Sequence, residues 1–338
     1  MEVSAVPRWF GIDVSKATFD VALARWGALR APHRKFPRSR EGCQDCLGWM
    51  EEHLTPEVSP CIVMEATGGY SKEMAGWFLS LKGDLRISIA QPFRVHYFAK
   101  GLGHPNKTDA QDATMLARFG EVHSPPPYKP MSPAYEQLRA LTRERSAFIK
   151  AARALGNRNE ILSESELAQE IRERLLVSHV EAMAELDQAI AAVIAEDPEL
   201  ARDAERIQTI PGVGPVVAST LMGELGDLRE FAHPKALAAF AGLAPAWRES
   251  GSSVHAQAHM TKHGSGHVRR VLYLAAMAAT RGDNSLARSY QHLLQEGKPP
   301  MVALVASMRK ILVLCRAVLV SEQDYDPSHV KPTHPVEI

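Results

Sequence analysis

Trp9-Phe10-Gly11-Ile12-Asp13 is the stretch on which the fold turns: an apolar, strand-like run that ends in a carboxylate. A second run, Cys61-Ile62-Val63-Met64-Glu65, closes in the same way. Short apolar runs bounded by polar residues read as buried strands. Working outward, Phe19 to Arg25 and Leu29 to Phe36 read as strands, Gly42 to His53 and Ser71 to Lys82 as helices, and Leu85 to Ala90 as a short strand.

Three early strands, a helix and then alternating elements is the order of a ribonuclease H-like α/β sheet. The run Pro125-Pro126-Pro127-Tyr128-Lys129-Pro130 cannot continue a helix and reads as a linker. From Ala134 to Glu205 only Gly156 and Pro198 break a stretch rich in Ala, Leu, Glu and Arg, which predicts a long, coiled-coil-like helical hairpin turning near Ser163 to Ser165. The remainder reads as mainly helical with Gly-rich breaks. The expected domains are therefore residues 1–130, 131–205 and 206–338.

Asp109 and Asp112 open a further helix-like stretch, three residues apart and so on one helix face. With Asp13 and Glu65 they make four carboxylates that strand ends and a helix start can bring together. Hard oxygen ligands converging from several elements suit two magnesium ions, which activate a nucleophile and stabilise a leaving oxygen in phosphodiester chemistry. Taken singly, each acid is better explained as a cap or a solvated charge, and Thr108 to Asp112 also fits a helix N-cap. The conjunction of four is what favours a metal site.

The 338 residues are 45% hydrophobic and carry no net charge, which suits two or three compact units. The neutral total hides a segregation. Leu138 to Arg158 holds six basic residues (Arg139, Arg143, Arg145, Lys150, Arg153, Arg158) against one acidic, whereas Asn159 to Glu205 holds thirteen acidic against three basic. The first stretch can neutralise phosphates, or it is one solvated helix face. Met301 to Ser321 is apolar but broken by Arg309, Lys310 and Arg316, so it reads as a buried helix rather than a membrane span. No secretory-type sequence opens the chain, and a cytoplasmic location is the expectation. Cys43 and Cys46 form a lone CxxC without a second ligand pair, so a helix-buried pair is expected rather than a zinc site.

Ile210-Pro211-Gly212-Val213-Gly214 between two apolar runs predicts a helix-hairpin-helix, with Gly212 and Gly214 and the following helix N-terminus facing a phosphate; a plain turn between packed helices reads similarly. Arg248 to Ser253 places hydroxyls beside Gly251, followed by Lys262, Arg269 and Arg270, a set able to attack phosphorus and offset charge, or an ordinary loop. His255, His259, His263 and His267 recur every four residues, but Gly264 and Gly266 interrupt any continuous helix, which argues against a metal ridge.

Phe10 to Lys16, Met64 to Tyr70 and Lys107 to Ala113 resemble the corresponding segments of the DEDD-type insertion-sequence transposases, whose N-terminal domain is similar to the Holliday-junction resolvase RuvC. Ile210 to Gly214, Gly242 to Pro245, and Ser250-Gly251 through Lys262 and Arg270 resemble their C-terminal transposase domain. The resemblance implies a bridge-RNA-guided recombinase acting on donor and target DNA. Asp13, Glu65, Asp109 and Asp112 would hold Mg2+, or Mn2+, and Ser250 would form a phosphoserine link to DNA, with Ser252 and Ser253 as neighbouring candidates. It further implies a dimer or tetramer, with the hairpin as crossing element and RNA surface, and no membrane partner. The nucleic-acid contacts then expected are Arg139, Arg143, Arg153, Arg158, Gly212, Gly214, Lys262, Arg269 and Arg270. The rival readings are a RuvC-like nuclease without a serine intermediate and an actin-like kinase; the latter needs further Gly-rich phosphate loops that the sequence lacks.

Overall fold

The computed structural model describes residues 8–24, 31–55, 58–102, 108–159, 165–250, 254–260 and 264–329. The chain forms two compact units, Met1–Pro130 and Met131–Ile338.

The first unit is a five-stranded mixed sheet. Its strands are β1 (Arg8–Val14), β2 (Thr18–Leu23), β3 (His33–Pro37), β4 (Pro60–Glu65) and β5 (Arg86–Ala90), in the order β3-β2-β1-β4-β5. β1 pairs antiparallel with β2 and parallel with β4, so the two acid-ending runs are neighbours with their C-terminal ends at the same sheet edge. Alternation along β1 sorts its side chains. Phe10, Ile12 and Val14 enter a core with α1 (Arg40–Glu51) and α2 (Tyr70–Leu81), while Trp9 faces the opposite side with Val63, Leu116 and Phe119. That opposite face is covered by α3 (Pro92–Gly101), an element beyond those expected from sequence, and α4 (Asp109–His123).

Two glycines decide how closely α4 lies. A Cβ on Gly11 of β1 would meet the Ala113 carbonyl oxygen at 2.0 Å and the Ala117 nitrogen at 2.3 Å. One on Gly120 of α4 would come within 2.6 Å of the Trp9 ring. Because Ala113 lies over Gly11 and Gly120 over Trp9, α4 runs antiparallel to β1 and begins at the strand's acidic end. The proline run leaves the helix as expected but docks on the edge strand: Tyr128 N–H donates to the Ile87 carbonyl at 2.6 Å, and Ser88 Oγ donates to the Pro125 carbonyl at 3.0 Å. It covers a strand edge that would otherwise offer unpaired backbone groups. Cys43 and Cys46 are buried in α1, and burial pushes the Cys43 thiol up to about 12.

The second unit is mostly helical. α5 (Pro133–Asn159) and α6 (Glu166–Glu196) pack as the expected hairpin, with Ser165 capping α6 and Ser163 lying outside the described residues. Arg145 Nε bonds Asp187 Oδ1 across the pair at 2.5 Å. Asp197 ends the hairpin by capping α7 (Pro198–Gln208), accepting from the Glu199 and Leu200 amides. The hairpin's base does not stand apart from the later helices: Leu138, Ile190 and Val193 share one core with α7, α8 (Pro215–Leu225), α9 (Pro234–Phe240), α10 (Gly266–Ala279), α11 (Ser285–Gln295) and α12 (Pro300–Ser321). α12 is buried along Ala303, Leu304, Met308, Ile311, Leu312 and Cys315, as expected of a core helix. Among the described residues no helix is long and apolar enough to cross a membrane.

The remainder is mainly helical as expected, with one β element that the sequence reading did not place. β6 (Pro245–Ser250) and β7 (Val254–Met260) form a two-stranded antiparallel hairpin. Two of the four-spaced histidines, His255 and His259, lie on β7 and His267 lies on α10, so they share no helix; His263 is outside the described residues. Alternating polar and apolar residues from Val254 to Met260 carried the strand signal, which the flanking helical runs obscured.

The contact at Gly11 generates a test. We expect Gly11→Ala to destabilise the chain by roughly 3 kcal/mol or more, the upper end of overpacking, because helix backbone stands where the methyl group would go. Gly48, exposed on α1 with nothing within 4 Å of an added Cβ, provides the control. Gly48→Ala should be neutral or stabilising by up to about 1 kcal/mol in the same urea titrations.

Candidate active site

β4 ends in Glu65 and β1 carries Asp13 one residue before its end, and the parallel register that pairs Ile12 with Met64 brings Asp13 beside Glu65. α4 starts over the same edge. Thr108 caps it by accepting from the Gln111 amide at 3.3 Å, and Asp109 and Asp112 occupy its first turn. The helix-cap reading of that segment holds, with the threonine as the cap and both aspartates in the turn that follows it. Carboxylates at a helix N-terminus are also favoured by the unpaired amides and the helix dipole there.

The electrostatics of Asp13 register the crowding. Its carboxyl is pushed up from 3.8 to about 6, first by burial and then by the negative charges of Asp112, Asp109, Glu65 and Asp20. The four charged neighbours that raise Asp13 are all acids. In chemistry the donors suit a divalent ion, being hard carboxylate oxygens of the kind Mg2+ takes. Among the described residues, no three His, Cys, Asp or Glu side chains are drawn together closely enough to hold an ion as they stand. What the fold supplies is one sheet edge and a shared field.

Asp20 is the member that sequence reasoning missed. It lies on β2 directly opposite Asp13, is only 4% exposed, and is held by His33 Nε2 at 2.7 Å and Lys35 Nζ at 3.1 Å. The same ammonium stands 3.5 Å from Asp109. Its hydrogen bond to Asp20, then that charge, pushes the Lys35 ammonium up. A signal was available, since an aspartate inside the otherwise apolar Phe19-Asp20-Val21-Ala22-Leu23 needs a buried partner.

The other candidate residues divide by environment. Ser250 is the last residue of β6, paired with Val254 across the hairpin, so it stands at the hairpin's tip. Ser252, Ser253 and Lys262 lie outside the described residues, as does the side chain of Arg158. Within the basic stripe, Arg143 is committed internally, donating to Glu224 from Nε at 2.5 Å and from Nη2 at 3.0 Å, with Ser265 Oγ donating to the same carboxylate at 2.9 Å. Burial alone would push the Glu224 carboxyl up, but Arg143 and Ser265 hold it below its ordinary range. Arg139 reaches Glu136 at 3.4 Å, and Arg269 donates to the Gly264 carbonyl at 2.6 Å. Arg153 and Arg270 are exposed, and Arg270 joins Arg145, His267 and Thr142 in lining a cleft between α5, α8 and α10.

The Ile210 to Gly214 segment is a tight turn joining α7 to α8. Gly212 has φ +84°, and its missing side chain makes room for the Ala275 carbonyl, which a Cβ would meet at 2.2 Å. Packing against α10 explains that glycine. Gly214, the residue preceding α8, has open space around it and leaves the helix start without a side-chain cap.

Comparison with known proteins agrees with this geometry. Residues 10–162 match the DEDD transposase family of IS110, and residues 204–291 match the family described as "Transposase IS116/IS110/IS902 family". The pilin gene-inverting protein of Moraxella bovis is 30% identical over 94% of this chain and 97% of its own length. A probable family 20 transposase of Pseudomonas aeruginosa is 27% identical over 94% of this chain and 98% of its own. The transposase for insertion sequence element IS1111A of Coxiella burnetii is 25% identical over 80% and 77% respectively.

The charges give two expected outcomes. The Asp13 carboxyl is raised in the fold, so its neutral form stabilises below pH 3.8 and that contribution is lost as pH rises through about 6. In metal-free buffer, Asp13→Asn should therefore melt near the wild type at pH 4 and increasingly above it from pH 4 to 7; parallel melting curves at all pH values would contradict the crowding. The cations should separate likewise. Arg143→Ala strands a buried carboxylate and should cost roughly 1–3 kcal/mol of stability. Arg153→Ala should leave the denaturation midpoint unchanged, while lowering the salt dependence of nucleic-acid binding by about one phosphate contact.

Proposed function

Since the chain belongs to the IS110/IS116/IS902 transposase family, we propose that it recombines DNA through a phosphoserine link at Ser250, assisted by Mg2+ at Asp13, Glu65, Asp109 and Asp112 and directed by a noncoding bridge RNA. The enzyme class is DNA transposase or recombinase, which removes the kinase reading. The observation that carries the proposal is the shared position of the four acids, two at neighbouring parallel strand ends and two in the first turn of a helix that begins there.

The four carboxylates would hold magnesium, or manganese, which when bound polarises the scissile phosphate and offsets charge on the leaving oxygen. Ser250 is the last residue of its strand in the β-hairpin, paired with Val254. Its Oγ forms a bond to phosphorus as the bond from phosphorus to a sugar oxygen breaks; the serine proton leaves to a base and the departing sugar oxygen takes one up. The ester bond energy is kept in the phosphoserine, so a hydroxyl of the incoming strand reverses the step and releases the serine without ATP.

A helix-hairpin-helix role for α7, the turn at Gly212 and α8 belongs to the same proposal, with the uncapped start of α8 at Gly214 offering backbone amides to a phosphate. Exposed Arg153 and Arg270 supply cations for DNA or RNA. Leu167, Ile171 and Leu175, exposed and four residues apart on α6, favour self-association through the hairpin into a dimer or tetramer. The name of the Moraxella relative points to inversion, and that of the Coxiella relative to transposition.

The test is a cleavage assay with labelled DNA, Mg2+ and RNA transcribed from the DNA flanking the coding region. Wild-type protein should give a covalent protein–DNA band on a denaturing gel. Ser250→Ala should lose the band while retaining nucleic-acid binding, and Asp13→Asn should cut at least roughly a hundredfold more slowly, the scale of losing metal assistance. A band that survives Ser250→Ala moves the link to Ser252 or Ser253. Cleavage without any covalent band makes the protein a nuclease that uses water.

A further inference from the structure

Asp13, Asp20 and Lys35 stand opposite one another across β1, β2 and β3, so their side chains leave the same face of the sheet in a row. Lys35 is half exposed on an edge strand, where a lysine usually serves only to deter strand pairing. Here its Nζ instead reaches two acids from different elements, the buried Asp20 at 3.1 Å and Asp109 at the head of α4 at 3.5 Å. His33, also on β3, takes the other oxygen of Asp20 at 2.7 Å and so leaves that carboxylate fixed as an anchor for the ammonium. The lysine thus links the sheet edge to the start of the helix, beside Asp13, on which Asp112, Asp109, Glu65 and Asp20 all act as negative charges.

We propose that Lys35 is a positioning residue of the acidic site: its ammonium supplies cationic charge to Asp20 and Asp109 in the metal-free protein and yields Asp109 when a divalent ion binds. The inference rests on the metal-binding reading above. Two consequences separate this role from a merely structural one. Without Lys35 the metal-free acids repel one another more, so the metal-free protein is less stable. A bound divalent ion no longer faces a competing positive charge, so it binds more tightly.

The experiment uses the full chain with Lys35→Gln and Lys35→Arg, reading the metal-free melting temperature and Mg2+ affinity by calorimetry. Lys35→Gln is expected to melt below the wild type without metal, to bind Mg2+ roughly tenfold more tightly, the scale of one unit charge a few ångströms from a divalent ion in a solvent-like medium, and to close most of its melting deficit at saturating Mg2+. Lys35→Arg, which keeps the charge, should follow the wild type in both readouts. Lys35→Met, which keeps the aliphatic stem, provides the same comparison if the glutamine variant melts too low to titrate. Unchanged or weaker Mg2+ affinity in the charge-removing variants, with normal binding by the wild type, overturns the role of Lys35 alone. A wild type that binds no Mg2+ removes the metal reading and this inference together.

Discussion

Where α4 crosses β1 at Gly11, helix and strand backbones are closer than a methyl group allows. That approach fixes more than packing. It sets the direction of α4 against β1, and with the direction it sets which end of the helix lies at the acidic edge of the sheet. Gly120 repeats the approach one face-length away against Trp9, so the helix is held at two points and cannot pivot about one. Asp109 and Asp112 owe their place beside Asp13 to these contacts between small residues and backbone, which are indifferent to charge.

Such an arrangement imposes like charges on one another, and the raised Asp13 carboxyl is the measure of it. Folding tolerates this because the core beneath is large and apolar: Phe10, Ile12, Val14, Ile62 and Met64 are buried on the face opposite α4. Partial relief is built in through the helix N-terminus, which favours Asp109 and Asp112, and through Lys35 and His33, which hold Asp20. The proposed divalent ion would add positive charge at this edge, where it would serve a phosphodiester reaction.

In the helical unit the cations are sorted by what stands opposite them. Arg143 and Arg145 meet acids on neighbouring helices and stitch α5 to α8 and to α6, whereas Arg153 has no such role in the packing and is exposed. The glycines of the α7–α8 turn divide in the same way, Gly212 making room for α10 and Gly214 standing open. Basic and glycine-rich stretches that look uniform in sequence therefore carry two kinds of residue, structural and available.

Strand and helix periodicities made the first unit legible nearly element by element, because β1, β2 and β4 are apolar runs and such patterns are local. Asp13 and Glu65 were visible for the same reason, as charges that terminate such runs, and Asp109 and Asp112 as neighbours in one helical turn. Whether these acids share an edge was not local: it depended on β1 and β4 being parallel neighbours and on α4 lying down at Gly11, contacts between residues far apart in the chain. Asp20 and Lys35 were missed because their meaning comes from cross-strand register, and the β6–β7 hairpin because short strands amid helical runs carry a weak signal. Sequence alone determined which residues could be buried, capped or charged; tertiary structure decided which charges face one another, since electrostatic energy depends on distance in space and not along the chain.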